Sequence, residues 1–297
     1  MYLVTGAAGH LGRAVINHLL TTYKVPASKI IAATRDPNKL ADLKAKGVTV
    51  RAADFDDEAG LVKAFAGAER ALIISTDSLA PGVRQRQHVA AVKAAEKAGV
   101  PHVLYTSIPK VETSTILFAP DHIATEQAIA NGKFKGWTVL RNNWYAENLF
   151  MSLPEAFKSG TQYSASANGK IAYIARDDLA RAAAAALASD ASGKTTYTLT
   201  GAKEYTVDEI AALASKATGK ALKVVQVSVA DLTKGIVAAG LPEGLAKLFA
   251  SFDDNTSKGG LSGVTSDYKK LTGAEPASLE SWFASNAAAL AGTAKAA

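Results

Sequence analysis

The sequence predicts an α/β fold: a doubly wound parallel sheet with a smaller α/β lobe at its C-terminal end. Two observations carry this. Short apolar, β-rich runs alternate with amphipathic stretches whose apolar residues recur at spacings of three and four, the rhythm of a parallel sheet covered by helices on both faces. A glycine-rich turn, Gly6-Ala7-Ala8-Gly9-His10-Leu11-Gly12, joins the first run to the first helical stretch.

In order along the chain, strands are expected at 2–5, 30–34, 48–52, 71–75 and 103–106, with helices at 11–23, 37–46, 58–66 and 83–98 between them. Gly47, Gly67 and Gly99 fall just after helices, where a left-handed C-terminal cap is wanted. A sixth unit follows, with a helix over 121–130 and a strand over 137–140. Beyond Arg141 the alternation weakens. Short strands at 170–174, 195–199 and 223–227 are interrupted by helices at 177–188 and 207–218, with a loop at 257–263 and a frayed tail after Leu290. The expected division is a sheet domain of 1–141, with room for later strands to return to it, and a C-terminal lobe of 142–297.

Composition excludes several function classes. A chain of 297 residues with 48% hydrophobic and 20% charged residues is an ordinary globular balance, large enough for a deep core and a sizeable cleft. It contains no cysteine, which removes disulfides, thiolate catalysis and cysteine-ligated metals together, and its five histidines have no metal-binding spacing. No apolar run is long enough to cross a bilayer and the first residues do not read as a secretion signal, so a cytoplasmic protein without a membrane partner is expected. The net charge of +6 is spread among acidic residues along the helices and forms no basic block. Nucleic acid is therefore not an expected partner, whereas a small anionic ligand benefits from the mild positive potential.

The glycine turn carries the functional reading. Gly6 permits the tight exit from the strand, Gly9 lets backbone approach a phosphate, and Gly12 lets the helix pack closely on the sheet. The helix start, with the backbone of Ala8, His10 and Leu11, then presents free N–H groups to a pyrophosphate, as in Rossmann-type dinucleotide sites. The second strand ends in Arg35, where an NAD site usually offers a carboxylate; an arginine favours a 2′-phosphate and hence NADP(H), with Lys39 in support. A surface arginine is the alternative. Asp54 and Phe55 are placed to border the adenine, although Asp54 is equally suited to capping the next helix. Ser75, Thr76 and Ser107 follow the fourth and fifth strands and are expected to line the nicotinamide half.

These segments, together with Leu140-Arg141-Asn142-Asn143-Trp144-Tyr145-Ala146-Glu147-Asn148, resemble the NmrA-like group of atypical short-chain dehydrogenase/reductase proteins. The likeness is greatest to its quinone-reducing branch, through Asp121 to Glu126, Gly240 to Leu245 and Ser257 to Leu261, with triphenylmethane reductases further off. Ordinary members of the wider superfamily carry a Tyr-x-x-x-Lys pair. Here the corresponding helix reads His122-Ile123-Ala124-Thr125-Glu126, which argues against an alcohol dehydrogenase using that proton relay.

The resemblance implies an NADPH-dependent reductase of quinones or similar flat conjugated acceptors, working by direct hydride transfer without flavin, as a monomer or homodimer. It implies a catalytic set of Asn143, His122 and Tyr145. Asn143 is expected beside the nicotinamide and on a quinone oxygen, and His122 on the nicotinamide amide or as proton donor. Trp144, Tyr145 and Phe150 form the aromatic wall. Core packing is the alternative for Trp144 and Phe150, and a structurally satisfied histidine for His122. Two other functions stay open: an NADP(H)-sensing regulator without turnover, and a reductase of triphenylmethane or azo dyes.

Overall fold

A computed structural model describes residues 1–80 and 82–292. The first half alternates strands and helices: β1 (Tyr2–Val4), α1 (His10–Thr21), β2 (Ile30–Thr34), α2 (Ala41–Ala45), β3 (Thr49–Ala52), α3 (Glu58–Phe65), β4 (Arg70–Ile73), α4 (Val83–Lys97), β5 (His102–Ser107), α5 (Ala119–Asn131) and β6 (Gly136–Asn142). The second half adds α6 (Leu153–Ser159), β7 (Thr161–Ser164), β8 (Lys170–Ile171), α7 (Arg176–Ala188), β9 (Lys194–Leu199), β10 (Tyr205–Thr206), α8 (Val207–Thr218) and β11 (Lys223–Gln226). It ends with α9 (Val229–Ala238), α10 (Glu243–Ser257), α11 (Asp267–Thr272) and α12 (Leu279–Leu290).

Among the described residues seven strands form one sheet in the order β3-β2-β1-β4-β5-β6-β9, each pair parallel. The order reverses between β1 and β4, which opens a crevice at their carboxyl ends. One face of the sheet buries Val4, Leu72 and Leu104 against Val15, Ile16 and Leu19 of α1 and the alanines of α7. The small alanine side chains let α7 approach α1 closely, and His18 Nε2 meets Asp177 at 3.1 Å across the pair. The other face buries Leu3, Ile31 and Tyr105 under Phe65, Ala91, Ala95 and Ile129 of α3, α4 and α5.

Residues of α7 and β9 belong to the sheet layer although they follow Arg141, with β9 extending the edge beyond β6. The remaining lobe pairs β7 with β11 and β8 with β10 around a separate core of Leu149, Leu153, Ile210, Trp282 and Phe283. The strand expected at 170–174 is short, because after Ile171 the chain turns to bridge Ile174 to Tyr145. Periodicity does not anticipate α9 to α12. Of the tail expected to fray, residues 293–297 lie outside the described residues. Among the described residues no helix is long and apolar enough to cross a membrane.

A polar cluster sits inside the second apolar face. His88, Tyr105, His122 and Thr125 are all buried between α4, α5 and β5. Donor-only partners decide its proton positions. His88 Nε2 accepts the Thr76 N–H at 2.8 Å, and His122 Nε2 accepts from Arg84 Nη2 at 3.2 Å. Each neutral ring therefore carries its hydrogen on Nδ1, and both donate to the Tyr105 hydroxyl, at 3.1 and 2.8 Å. The Tyr105 hydrogen is left for Thr125 Oγ1, which in turn donates to the Asp121 carbonyl at 2.6 Å. Burial, with Arg84 adjacent, pushes His88 from 6.5 down to about 3 and holds His122 well below its ordinary value.

Gly12 fixes where α1 begins. A Cβ there would lie 2.4 Å from the Gly6 carbonyl oxygen and 3.0 Å from the Ala7 Cα, both backbone atoms that cannot swing aside. Gly12→Ala is expected to destabilise the fold by about 1–3 kcal/mol, measured by urea unfolding. Gly244→Ala, in a helix with nothing within 4 Å of the added Cβ, is the control and should not destabilise. The histidines set an acid limit. An unfolded chain protonates His88 as the pH falls through 6.5 and the folded one does so only near 3, so its contribution to stability is lost across that window. Thermal melts are expected to show wild type losing stability relative to His88→Gln as the pH is lowered from 6.5 to 4.

Candidate active site

The glycine turn forms a rigid cradle. Thr5 donates through both N–H and Oγ1 to the Leu72 carbonyl, at 3.0 and 3.2 Å, while its Oγ1 accepts the Ile74 N–H at 2.9 Å. These bonds tie the ends of β1 and β4 together at the switch point. Gly6 adopts φ +60°, and the Gly9 N–H closes the turn on the Gly6 carbonyl at 2.9 Å. Gly9 precedes α1 without a side-chain cap, and the first turn of the helix holds no acidic residue. With Ala8 and the Leu11 side chain packed inward and His10 exposed, the turn leaves backbone N–H groups and the positive end of the helix for a pyrophosphate, so the residues fit a dinucleotide.

The adenosine end lies beyond β2. Arg35 is exposed at the strand's carboxyl end, with its charge near Asp56. Asp56 is held by Arg86 Nη1 at 2.5 Å and Gln87 Nε2 at 2.9 Å. Asp54 does not cap α3. Its carboxylate accepts the Asp56 N–H at 3.0 Å in an Asx turn, and Asp57 is the cap, accepting the Gly60 N–H at 3.0 Å. Phe55, expected to flank the adenine, turns into the core beside Leu61 and Phe65 and is 9% exposed. On the flank of the loop, α1 and α2 frame a hollow of about 680 Å³ lined in part by Gly9, His10, Arg13 and Lys46, where Arg13 pairs with Asp42 at 2.7 Å.

At the nicotinamide end, Ser75 and Thr76 stand beside one another after β4. The Ser75 N–H donates to Thr106 Oγ1 at 2.9 Å, which donates to Ser75 Oγ at 3.2 Å. Ser107 is buried and its hydroxyl donates to Glu126 at 2.6 Å. Arg141 then clamps Glu126 and Glu112, whose charges hold its guanidinium firmly protonated. The two positions of the Tyr-x-x-x-Lys pair are thus both turned to structural use: Glu126 ties α5 to β6, and His122 lies sealed in the Tyr105 cluster. His122 has no hydrogen free for a substrate, which corrects the expected role as proton donor.

The expected catalytic amide is also committed. Asn143 is 1% exposed; its Nδ2 donates to the Leu261 carbonyl at 3.1 Å and its Oδ1 accepts the Trp144 N–H at 2.7 Å. It pins the 257–263 segment over the end of β6. Lys110 supports the same segment by donating to the Gly259 carbonyl at 2.7 Å. The Tyr145 hydroxyl accepts from Asn142 at 3.2 Å, and burial raises its pKa, so it stays a neutral phenol.

Trp144 does belong to an aromatic row, with partners the sequence left unnoticed. Its ring meets Phe252 of α10 at 4.7 Å, and Phe252 meets Phe118 at 5.9 Å. Ile108, Val111, Ile116 and Ile123 complete this apolar cluster beyond the carboxyl end of β5. Phe150 stands apart, packed on Trp282 at 5.4 Å in the lobe's core. The signal for Phe252 was present in the three-residue spacing from Phe249, but nothing local says that this helix returns to the sheet edge.

Known proteins share this fold. The chain is 40% identical to quinone oxidoreductase 2 of Escherichia coli (strain K12), over 92% of this chain and 94% of that protein. It superposes on the crystal structure of the NADPH-dependent quinone oxidoreductase of Escherichia coli complexed with NADPH with a TM-score of 0.90, at 39% identity, covering 96% of this chain and 99% of that one. The Citrobacter sp. triphenylmethane reductase complexed with NADP(H) follows with a TM-score of 0.87 at 37% identity, covering 97% and 100%. The profile of the NmrA-like family matches residues 2–290, and the chain belongs to that family.

Proposed function

We propose that the protein is an NADPH-dependent reductase of quinones and comparably flat, electron-poor conjugated molecules. The observation that carries this is the placement, along one sheet edge, of the glycine cradle with Arg35 at one end and the Phe118–Trp144–Phe252 row at the other. Strong similarity to an NADPH-dependent quinone oxidoreductase and to a triphenylmethane reductase supports it.

The bound cofactor supplies a hydride from its reduced nicotinamide. The chain's own residues do the rest. The uncapped start of α1 holds the pyrophosphate, which Gly9 lets approach for want of a side chain, and Arg35 selects the 2′-phosphate. The Ser75–Thr76 turn borders the reacting ring, and the aromatic row holds the acceptor and excludes water. Addition of a hydride to a quinone leaves a phenolate-type oxygen, a stable anion that takes its proton from solvent. A site whose histidine and tyrosines are sealed or neutral suits such an acceptor and does not suit a ketone, whose alkoxide needs a proton donor. Conjugated triphenylmethane dyes meet the same condition, since the hydride neutralises their central carbon.

Purified protein is expected to oxidise NADPH saturably with 1,4-benzoquinone or 1,4-naphthoquinone, followed by loss of reduced-nicotinamide absorbance. Arg35→Ser is expected to raise the KM for NADPH roughly 10- to 100-fold, the loss of about 1.5–3 kcal/mol of charge-assisted hydrogen bonding, and to leave NADH kinetics unchanged. No NADPH oxidation above the uncatalysed rate with a panel of small quinones would sink the reading. The aromatic row has its own check. Phe252→Leu is expected to raise the quinone KM about 2- to 10-fold, in keeping with an aromatic contact of about 0.5–1.5 kcal/mol, while the KM for NADPH stays constant.

A further inference from the structure

Residues 74–80 leave the carboxyl end of β4 towards α4 without regular secondary structure, and on the reductase reading they border the reacting end of the crevice. Thr76 within them is gripped on both backbone polar groups by side chains of α4. Its N–H donates to His88 Nε2 at 2.8 Å, and its carbonyl accepts a short hydrogen bond from Arg84 Nη1. Neither side chain is a surface group, for His88 is fully buried and Arg84 nearly so. We propose that His88 and Arg84 are positioning residues that set the Thr76 backbone at the nicotinamide end of the crevice and thereby govern the rate of hydride transfer; this rests on the reductase reading above.

The grip is one-directional and therefore specific. The Thr76 N–H can only donate and its carbonyl can only accept, so α4 must offer an acceptor and a donor at two fixed points. Neutral His88 supplies the acceptor because its hydrogen is committed to Tyr105. The Arg84 guanidinium supplies the donor and uses its second nitrogen on His122. Arg84 also lies 4.5 Å over the Phe118 ring and 3.6 Å from the Asp121 carboxylate. One buried cation thus touches both the turn beside the reacting ring and the aromatic row for the acceptor, so it sets the spacing between donor and acceptor sides. A displacement of about 1 Å in such a spacing is enough for a hundredfold loss of rate.

The test separates this end of the cofactor from the other. His88→Leu removes the acceptor for Thr76, whereas His88→Gln can place an amide oxygen where Nε2 stands. Single-turnover hydride transfer from NADPH to naphthoquinone is expected to slow roughly 10- to 100-fold in His88→Leu, with a larger isotope effect from NADPH deuterated at both C4 positions. The Kd for 2′,5′-ADP, which reaches only the Arg35 end, is expected to stay constant, and His88→Gln to recover most of the rate. Arg84→Lys, which keeps the charge but loses the fork, is expected to show the same split and serves if His88→Leu does not fold. Wild-type rates in either folded variant, or a loss of 2′,5′-ADP affinity in step with the rate, overturn the proposal. If wild type turns over no quinone, the reductase reading falls by itself. The positioning role is then read from binding: weaker NADPH with unchanged 2′,5′-ADP in His88→Leu upholds it, and equal weakening overturns it.

Discussion

Everything at the working edge of this protein is measured from one contact, the first turn of α1 lying directly against the backbone of Gly6. With a hydrogen at position 12 the helix axis meets the end of β1 at a distance no other residue allows. That closeness brings the positive end of α1 to the switch point between β1 and β4, where the Thr5 bonds to Leu72 and Ile74 hold the two strand ends together. The phosphate site is thereby fixed relative to the sheet. Because the remaining strands run parallel from the same reference line, so are the loops that follow β2, β4, β5 and β6.

The second feature is what the fold does with polarity beyond that point. Two α5 positions that carry a proton relay in ordinary members of the wider superfamily hold His122 and Glu126, and both are absorbed into structure. His122 closes a cluster in which the ring hydrogens of His88 and His122 both go to Tyr105 and the Thr125 hydroxyl to the Asp121 carbonyl, and Glu126 is shared between Ser107 and Arg141. Buried polar side chains are favourable only when hydrogen-bonded, and both histidines have every ring nitrogen bonded in their neutral forms. On the reductase reading, such an arrangement favours hydride acceptors that tolerate their own negative charge.

Much of the sheet was legible in the sequence because its signals are local. The apolar period marks β2 as Ile30 to Thr34, Gly47 and Gly99 mark helix ends by their positive φ, and the glycine turn falls between β1 and α1. What escaped was set by contacts distant in sequence. The sequence left room for later strands to return to the sheet, but that β9 is the one that does depends on pairing with β6 and on the packing of α7 against α1, neither of which leaves a local trace. Site residues divide in the same way. The placement of the glycine turn and of Arg35 follows from strand ends, but side-chain direction does not. Phe55 and Phe150 are as aromatic as Trp144, and only the fold decides that the first two enter cores while the third meets Phe252 at the cleft. Asn143 is placed at the right strand end and still spends its amide on Leu261 and Trp144.

The two ends of the crevice consequently divide the work. On the proposed reading, fixed backbone dipoles and the exposed Arg35 at the phosphate end provide binding energy that does not change during reaction. At the reacting end, His122, Tyr145 and Asn143 have their polar atoms engaged within the protein, and the Phe118–Trp144–Phe252 row offers an acceptor aromatic surface. Binding energy realised far from the reacting atoms can hold them in place only if the intervening turn is rigid, which is why side chains of α4 gripping Thr76 matter more than their distance from the chemistry suggests. An acceptor site made of apolar surface also discriminates weakly, by roughly 10- to 200-fold for a methylene-sized difference. The same geometry that makes the cofactor site selective therefore favours breadth among acceptors, with electron deficiency and planarity as the main requirements.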